Sequence, residues 1–273
     1  MLISVIITTK NEEKNIENCL NSVVKQSYPQ DNIEIIVVDN NSADKTKEFA
    51  LCYTDKVYNF GPERSAQRNF GVEKSSGEYF LYLDADMALS ENVVKDCVDK
   101  VKNNPEIIAL YISEVITGKS FFSKVRKFER SFYDGTVIDC ARFIKKEPFN
   151  RVGGFDENLT GPEDWDLDKK LRNIGKLSLS TTPLYHNESE FNLKKYLSKK
   201  AYYSGKFGDY IAKWGGNDPD IKKQFGVNYR FFGVFIEDKK WRKVIAHPIL
   251  TIGIFIFRFL VGINYLAVKF NKS

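Results

Sequence analysis

The sequence predicts an α/β fold in which an open, mostly parallel sheet is flanked by helices and followed by a helical C-terminal segment. Short apolar runs alternate with stretches of helical periodicity, and each apolar run stops abruptly at polar residues. The chain has 273 residues, of which 42% are hydrophobic and 28% charged. A chain of this length and composition can bury a large core, which argues against disorder.

The first three elements predict a βαβ unit. Residues 2–9 (LISVIITT) form a β-branched apolar run typical of a buried parallel strand. Ile16, Leu20 and Val23 then recur at helical spacing, and residues 33–38 (IEIIVV) repeat the strand pattern. Two parallel strands joined by a helix are the building block of a parallel sheet.

Later segments continue the alternation. Pro162 favours the start of a helix and Gly175 its end. We predict strands at residues 56–60, 79–83, 137–144 and 177–181, and helices at residues 63–74 and 91–102, from Phe121 onward and at residues 162–173.

Polar side chains follow several predicted strands, at the edge where sheets of this kind bind ligands. Asp39 follows the second strand of the chain, and Asp84 and Asp86 follow the fourth. The residues that follow the first strand are Thr8, Thr9, Lys10, Asn11 and Glu12. The sequence therefore predicts a binding site at this edge.

Charge divides the chain into two parts. Residues 1–189 carry 25 Lys/Arg against 30 Asp/Glu, whereas residues 190–273 carry 16 against 6. The basic, aromatic C-terminal part suits either nucleic acid or an anionic membrane surface. A later apolar run favours the membrane, and we expect no nucleic-acid partner.

The sequence has four cysteines, which are far apart along the chain and form no CxxC pair: Cys19, Cys52, Cys97 and Cys140. A zinc site or a disulfide framework is therefore not expected, and we predict reduced thiols inside the cell. The N-terminal residues do not resemble a signal peptide.

The triplet Asp84-Ala85-Asp86 places two carboxylates close together at a strand end. A divalent cation would relieve their mutual repulsion, and hard cations prefer oxygen ligands. Solvated acid pairs in turns are common, so the triplet alone does not establish a metal site. His186 follows another predicted strand and is either structural or a further ligand.

Two other acidic positions allow two interpretations each. Asp39 is either a turn or cap residue, or an acceptor for the base or ribose of a nucleotide. Glu163 and Asp164 lie at the predicted start of a helix, where acids are stabilised by the helix dipole. The alternative is that one of them is a general base.

Taken together, five motifs in order resemble family 2 glycosyltransferases, which have the Rossmann-like GT-A fold. The resemblance covers about residues 3–190. The motifs are TTKNE at 8–12, VVDNNS at 37–42, Arg68-Asn69 with GEY and LDAD at 77–86, GGFD at 153–156 and GPEDWDL at 161–167. The second motif departs from the family, which often has a second acid and a glycine there.

The resemblance implies a role for each of these residues. Asp164, with Glu163 beside it, would be the catalytic base. Asp86, Asp84 and His186 would bind Mg²⁺ or Mn²⁺ at the donor diphosphate. The residues that would bind the substrates are Thr8, Asn11, Glu12, Asp39, Arg68, Asp84 and Trp165.

The C-terminal part suggests contact with a membrane. Residues 191–214 interleave lysines with aromatic residues, and residues 248–268 form an apolar run long enough, if helical, for a hydrocarbon core of about 30 Å. Arg258 interrupts that run, and we expect it to snorkel or to pair with a lipid phosphate. A buried helix in a soluble oligomer is the competing interpretation.

These patterns predict three segments: a GT-A catalytic domain at residues 1–190, a basic aromatic interfacial region at 191–245, and a hydrophobic anchor or interfacial helix at 246–273. Lys239, Lys240, Arg242 and Lys243 precede the last segment, so we expect a membrane-associated protein with a cytoplasmic catalytic domain.

The predicted function is inverting transfer of a sugar from a nucleoside-diphosphate sugar to a hydroxyl of a lipid-linked or membrane-proximal glycan. The alternatives are a polyprenyl-phosphate sugar synthase and a non-catalytic module that binds nucleotide sugars. The sequence does not specify the sugar, the nucleotide, the acceptor, the linkage or the oligomeric state.

Overall fold

The computed structural model describes residues 1–270, with the side chains of residues 1–264, in two compact units. Unit 1 comprises residues 1–115, 140–158 and 163–187, and unit 2 comprises residues 116–139, 159–162 and the described residues from 188 onward. Residues 116–139, which lie inside the predicted catalytic domain 1–190, group with the C-terminal part. Residues 271–273 of the predicted anchor lie outside the described residues.

Ten strands form two sheets. Their bounds are β1 (Ile3–Thr9), β2 (Ile33–Asp39), β3 (Val57–Asn59), β4 (Tyr79–Asp84), β5 (Met87–Leu89), β6 (Ile107–Tyr111), β7 (Glu114–Thr117), β8 (Ala141–Lys145), β9 (Lys176–Leu179) and β10 (Leu184–Asn187). The main sheet has the order β3-β2-β1-β4-β8-β6-β9, and the short sheet has the order β5-β10-β7. Only β8 runs antiparallel to its neighbours within the main sheet, which confirms the mostly parallel prediction.

Thirteen α-helices are assigned in the described part of the chain. They are α1 (Ile16–Val24), α2 (Thr46–Leu51), α3 (Arg64–Lys74), α4 (Val93–Asn103), α5 (Phe121–Arg130), α6 (Lys146–Arg151), α7 (Glu163–Arg172), α8 (Leu193–Ser204), α9 (Phe207–Trp214), α10 (Pro219–Phe225), α11 (Val234–Ile236), α12 (Trp241–Ala246) and α13 (Pro248–Phe270). A π-helical turn, Tyr229–Gly233, precedes α11.

The main sheet is covered on both faces, which explains its continuous apolar strands. In β1 the side chains of Ile3, Val5 and Ile7 belong to one hydrophobic core, and Ile6 belongs to the core on the other face. Helix α1 packs its buried face against the first core because Ile16, Leu20 and Val23 share one side of the helix. Unit 1 therefore has the layered α/β architecture that the sequence predicts.

Unit 2 has its own aromatic core, formed by residues of α5, α11 and α13 and by the chain that follows α5. Val125, Phe128, Phe132, Phe235 and Phe257 are all buried in it. Gly253 of α13 allows close approach to α5, because an added Cβ would lie 2.6 Å from a Val125 methyl. Contact with α13 explains why residues 116–139 group with the C-terminal part.

The expectation for Arg258 was wrong. Its guanidinium is 8% exposed and donates to Glu129 Oε1 at 3.0 Å and to the Tyr133 hydroxyl at 2.9 Å. Arg258 therefore lies on the buried face of α13. Its partner, Glu129, is 129 positions away in the sequence, so the sequence pattern around Arg258 did not indicate this ion pair.

The opposite face of α13 is apolar and exposed. Its exposed side chains recur at alternating spacings of three and four residues: Ile249, Ile252, Ile256, Phe259 and Ile263. Within residues 1–270, no helix is long and apolar enough to cross a membrane.

Candidate active site

Strand register places the first predicted site residues side by side. Strand β1 lies between β2 and β4, with Thr9 opposite Asp39 and Thr8 opposite Asp84. The Thr8 hydroxyl donates to Asp84 Oδ1 at 3.3 Å. The carboxyl ends of three adjacent strands thus form one polar edge, as the sequence predicts.

Asp39 is 1% exposed and accepts hydrogen bonds from the next turn. Its carboxylate accepts from the Ser42 amide at 2.8 Å and from the Ser42 hydroxyl. Asp39 therefore has the turn role that the sequence left open, and a nucleotide role would have to be additional.

The loop after β1 is fixed to the loop after β2. Asn11 has a positive φ of 54°, a conformation that asparagine tolerates better than most residues, and its side-chain oxygen accepts from the Ala43 amide at 2.9 Å. The Glu12 amide donates to the Thr46 hydroxyl at 2.7 Å. These bonds shape the backbone beside the polar edge.

Arg68 lies at the centre of the site and is 1% exposed. Its Nη1 donates to Asp164 Oδ1 at 2.7 Å, and its Nη2 donates to Asp84 Oδ1 at 3.0 Å. Nη1 also lies 3.8 Å from Glu163 Oε1. One guanidinium thus joins an acid of the DxD triplet to both acids of the GPEDWDL motif.

Aromatic rings hold Arg68 in place. Its guanidinium carbon lies 4.6 Å from the Tyr82 ring centroid and 5.2 Å from that of Phe155. The neighbouring Asn69 fixes Phe155 by accepting from its amide at 3.0 Å and donating to its carbonyl at 2.9 Å. Gly154 has a φ of +66°, and a Cβ there would meet Asn69 Oδ1 at 2.8 Å, so the GGFD motif requires this glycine.

Asp164 and Glu163 occupy the first turn of α7, as predicted. The Asp164 side chain is 22% exposed and also accepts from the Tyr82 hydroxyl at 3.3 Å. Glu163 is 2% exposed, and burial together with the charge of Asp164 raises the pKa of its carboxyl. Trp165 is half-buried in the same turn.

The two acids of the DxD triplet have different partners. Burial acts to raise the pKa of the Asp84 carboxyl, but Arg68 and Arg64 outweigh burial and hold that pKa well below its usual range. Asp86 Oδ2 instead lies 3.2 Å from His186 Nε2, and His186 Nδ1 lies 2.8 Å from Glu114 Oε1. Burial opposes protonation of His186, but these two carboxylates raise its pKa to about 10.

Among residues 1–264, no group of three or more acidic, His or Cys side chains is arranged to hold a metal ion. Arg64 and Arg68 engage Asp84, while His186 engages Asp86 and Glu114. Asp86 Oδ1 is nevertheless buried without a hydrogen-bond partner among these residues. That oxygen fits a cation ligand, because a buried carboxylate oxygen without a donor is costly.

Four residues at the site were missed by the sequence analysis. Arg64 Nη1 lies 3.3 Å from Asp84 Oδ2, and Arg142 Nη2 donates to Glu114 Oε2 at 3.2 Å. The remaining two are Tyr82 and Glu114, described above. The only sequence signal was a charged residue inside a short apolar strand, Arg142 in ARFIK.

A surface cavity of about 520 Å³ lies elsewhere in unit 1. It is lined by residues before β4 and at the junction of β8 and α6, including Gly77, Lys145 and Asn150. Since Gly77 precedes the start of β4 and the acids follow its end, this cavity does not belong to the polar edge.

A comparison with known protein families gives a match that covers most of these motifs. The model of glycosyl transferase family 2 matches residues 4–155, more than half of the chain. The glycosyltransferase AglE of Haloferax volcanii is 43% identical over 188 residues, which are 63% of this chain and 62% of AglE. A poly(ribitol-phosphate) β-N-acetylglucosaminyltransferase of Staphylococcus aureus, TarS, is 29% identical over 74% of this chain and 35% of its own length.

Solved structures share the fold. TarS residues 1–349 in complex with UDP-GlcNAc superpose with a TM-score of 0.58 at 18% identity, covering 98% of this chain and 90% of that one. The mannosyltransferase PcManGT of Pyrobaculum calidifontis, in complex with GDP-Man and Mn²⁺, gives 0.63 at 19% identity, covering 99% and 86%. The chain spans about 60% of the length of AglE and of an uncharacterized Rickettsia typhi glycosyltransferase that is 30% identical over 64% of this chain.

Proposed function

The chain belongs to glycosyltransferase family 2, and from that premise we propose that it is an inverting enzyme acting on a lipid-linked or membrane-proximal glycan. The donor is a nucleoside-diphosphate sugar, and the acceptor group is a hydroxyl. Support for the donor comes from the complexes of TarS with UDP-GlcNAc and of PcManGT with GDP-Man, which share the fold.

The observation that carries this proposal is the bridge through Arg68. Its guanidinium bonds both Asp84, at the end of β4, and Asp164, at the start of α7. A partly exposed carboxylate is thereby held at a fixed position beside the acids that follow the sheet. A transferase acting on a hydroxyl needs such a base.

The polar edge holds the donor in this proposal. Thr8, Asn11, Glu12, Asp39 and Trp165 surround the nucleotide and its sugar. Arg68 has a positioning role in this proposal. Because it is 1% exposed and bonded to carboxylates, it holds Asp84 and Asp164 in place.

In the proposed step, Asp164 accepts the proton of the acceptor hydroxyl. The hydroxyl oxygen forms a bond to the anomeric carbon as the bond from that carbon to the diphosphate breaks. The electron pair leaves with the nucleoside diphosphate, and attack from the opposite face inverts the anomeric configuration. Tyr82 and Arg68, both bonded to Asp164 Oδ1, hold the base during this transfer.

Asp86, Asp84 and His186 would hold Mg²⁺ or Mn²⁺, which when bound stabilises negative charge on the departing diphosphate. The buried, unpartnered Oδ1 of Asp86 supports this assignment. The complex of PcManGT with Mn²⁺ is consistent with it.

A donor-binding and turnover experiment tests the function. Candidate UDP-, GDP- and dTDP-sugars are screened for thermal stabilisation with Mn²⁺, and the binder is then tested for transfer. Asp164→Asn should lower turnover by about 10²- to 10⁴-fold while leaving donor stabilisation unchanged. Asp31→Asn, an exposed aspartate outside the site, is the matched control.

Two outcomes would redirect the proposal. Full turnover by the Asp164→Asn enzyme would favour a phosphate acceptor, which is already ionised and needs no base. Donor binding without transfer or hydrolysis of the sugar nucleotide would favour a non-catalytic module.

We also propose that α13 attaches the protein to the cytoplasmic face of a membrane by lying in its surface. Its exposed face, Ile249 to Ile263, carries no charge, and exposed Arg242 and Lys243 of α12 precede it. An apolar face beside basic residues suits the headgroup region of an anionic bilayer.

Vesicle sedimentation tests this attachment. Wild-type protein should bind phosphatidylglycerol vesicles more tightly than phosphatidylcholine vesicles, and Ile252→Asp with Ile256→Asp should abolish binding. Leu51→Asp, an exposed leucine on α2, is the control. Concentration-dependent dimerisation that the double variant abolishes, without vesicle binding, would instead assign this face to a second copy.

A further inference from the structure

A cluster of cations in unit 2 has no place in the sugar-transfer chemistry. It comprises Arg126 of α5, Lys200 of α8, Arg230 of the π-helical turn and Arg258 of α13. We refer to these four side chains as the cationic cluster. They surround Glu129 and the rings of Tyr133 and Tyr196.

Carboxylates contact two members of the cluster. Arg126 Nη2 donates to Glu188 Oε1 at 2.9 Å, and Arg126 Nη1 lies 3.6 Å from Glu129 Oε2. Arg258 Nε donates to Glu129 Oε1 at 3.0 Å. Four cations therefore gather around two contacting carboxylates.

Part of the donor capacity of the cluster is unused. Within residues 1–264, the Nη1 atoms of Arg230 and Arg258 are buried and have no hydrogen-bond partner. The Arg230 guanidinium lies 5.5 Å from the Tyr133 ring centroid, and no carboxylate of the described residues forms an ion pair with it. Buried guanidinium donors without acceptors are costly unless a ligand supplies the acceptors.

The pKa shifts of Glu129 and Lys200 are consistent with an excess of positive charge in the cationic cluster. Burial acts to raise the pKa of Glu129, but Arg258 and Arg126 outweigh it and hold the pKa at about 2. Lys200 is exposed at the surface, yet its ammonium lies 5.4 Å from the Tyr196 ring centroid. Desolvation there, with repulsion from Arg126 and Arg230, lowers the pKa of Lys200 to about 8. An anion placed among these cations would relieve that repulsion.

A purely structural arginine would have a carboxylate partner within the fold. Arg130 is such a residue, because its Nη2 lies 2.6 Å from Asp139 Oδ1. Arg230 instead has an aromatic contact and no carboxylate partner among the described residues. The planar guanidinium suits oxyanions that accept two hydrogen bonds, above all phosphate.

We propose that the cationic cluster binds a phosphate or diphosphate group. The ligand is a phosphate-bearing molecule, such as a lipid diphosphate or a phosphate-linked polymer. Arg230 and Arg258 supply the unused donors, and Lys200 supplies an exposed charge.

Binding of inorganic pyrophosphate to the full chain, measured by calorimetry in EDTA, is the direct test. The chelator removes cations that would draw pyrophosphate to the donor carboxylates. Arg230→Gln should weaken pyrophosphate binding at least tenfold. Arg151→Gln, an exposed arginine of unit 1 outside both the polar edge and the cationic cluster, should leave it unchanged.

A second variant guards against misfolding, and a second ligand distinguishes the source of the phosphate. Lys200→Met, at an exposed position, should also weaken binding at least threefold. Farnesyl diphosphate binding at least tenfold more tightly than pyrophosphate, with the same loss in Arg230→Gln, identifies a lipid diphosphate. Equal affinities identify a phosphate recognised without lipid.

The inference is overturned if pyrophosphate does not bind, or binds wild type and Arg230→Gln equally. Its failure is separable from that of the proposed function. Donor stabilisation by a sugar nucleotide with Mn²⁺, and transfer that Asp164→Asn abolishes, depend on unit 1 residues. They can succeed while pyrophosphate binding fails, and the reverse can also occur.

Discussion

Each unit buries a cluster of charged side chains, and the two clusters have opposite imbalances. In unit 1, the guanidinium of Arg68 is shared by Asp84, Asp164 and Glu163. In unit 2, Glu129 is contacted by Arg126 and Arg258, and no carboxylate of the described residues forms an ion pair with Arg230. The first cluster has acids to spare and the second has cations to spare.

This difference indicates which kind of ligand each cluster can bind. Spare carboxylate oxygens accept protons or cations, as a base and a cation site must. Guanidinium groups with unused N–H donors can donate hydrogen bonds to an oxyanion. Because a balanced internal ion pair would need no ligand, the imbalance itself distinguishes a binding cluster from a structural one.

Removing the shared cation of unit 1 should have the largest effect. Arg68→Gln removes the buried guanidinium from Asp164 and leaves Asp84 and Glu163 with only the more exposed Arg64, so we expect a loss of ~3–5 kcal/mol in the free energy of unfolding. Urea unfolding at pH 7 measures it. Arg64→Gln is the control, because the Arg64 side chain is 35% exposed, and should cost at most ~1 kcal/mol. Equal losses would show that Arg68 is not the shared partner.

Removing the shared anion of unit 2 should have the next largest effect. Glu129 has a pKa of about 2 in the folded chain against 4.5 when free, so its ionisation stabilises the fold by ~3 kcal/mol at neutral pH. Since the folded pKa is depressed, this stabilisation is fully present above pH 4.5 and is lost as pH falls towards 2.

Glu129→Gln should therefore differ from wild type at pH 7 and converge with it below pH 2, as followed by urea unfolding across the pH range. Glu106→Gln, at an exposed pair with Lys176, should show no resolvable change. The variant also enlarges the cation excess, so pyrophosphate should raise its melting temperature by more than that of wild type. A difference that persists undiminished below pH 2 would contradict the assigned pKa.

The sequence predicted the acidic cluster much better than the basic one, for a physical reason. Thr8, Asp39 and Asp84 lie at or next to the last residue of a strand, and parallel strands bring their carboxyl ends to one edge. The local sequence pattern at the strand ends was therefore enough to locate them. Arg68 lies on the buried face of α3 together with Gly71 and Val72. Its burial was not predicted, because helical periodicity does not indicate which carboxylates a buried arginine will meet.

The basic cluster was missed because its contacts are long-range. Arg258 was expected to reach towards lipid, since its helix is apolar on every side, and only the packing of α13 on α5 supplies Glu129. Glu114 and Arg142 escaped notice for the same reason, because β8 pairs antiparallel between β4 and β6. Sequence patterns indicate where a strand ends but not which distant charges meet.

A matched pair of tyrosines gives the smallest and most discriminating test. Tyr82 donates one hydrogen bond, at 3.3 Å, to Asp164, whereas the Tyr133 hydroxyl donates to Glu129 at 2.6 Å and accepts from Arg258 at 2.9 Å. Tyr82→Phe should cost ~0.5–1 kcal/mol in unfolding free energy, because Asp164 keeps its bond to Arg68. Tyr133→Phe should cost ~1–3 kcal/mol, because it adds another unsatisfied donor to Arg258.

Pyrophosphate should affect the stability of the two tyrosine variants differently. In the Tyr133→Phe protein, a bound oxyanion can accept the hydrogen bond that Arg258 has lost, so saturating pyrophosphate should recover part of the lost stability. The Tyr82→Phe protein should gain no more from pyrophosphate than wild type does, because its lost bond lies among acids. Equal recovery in both would mean that the ligand acts without regard to the cationic cluster, and the contrast between the two units would then not govern ligand choice.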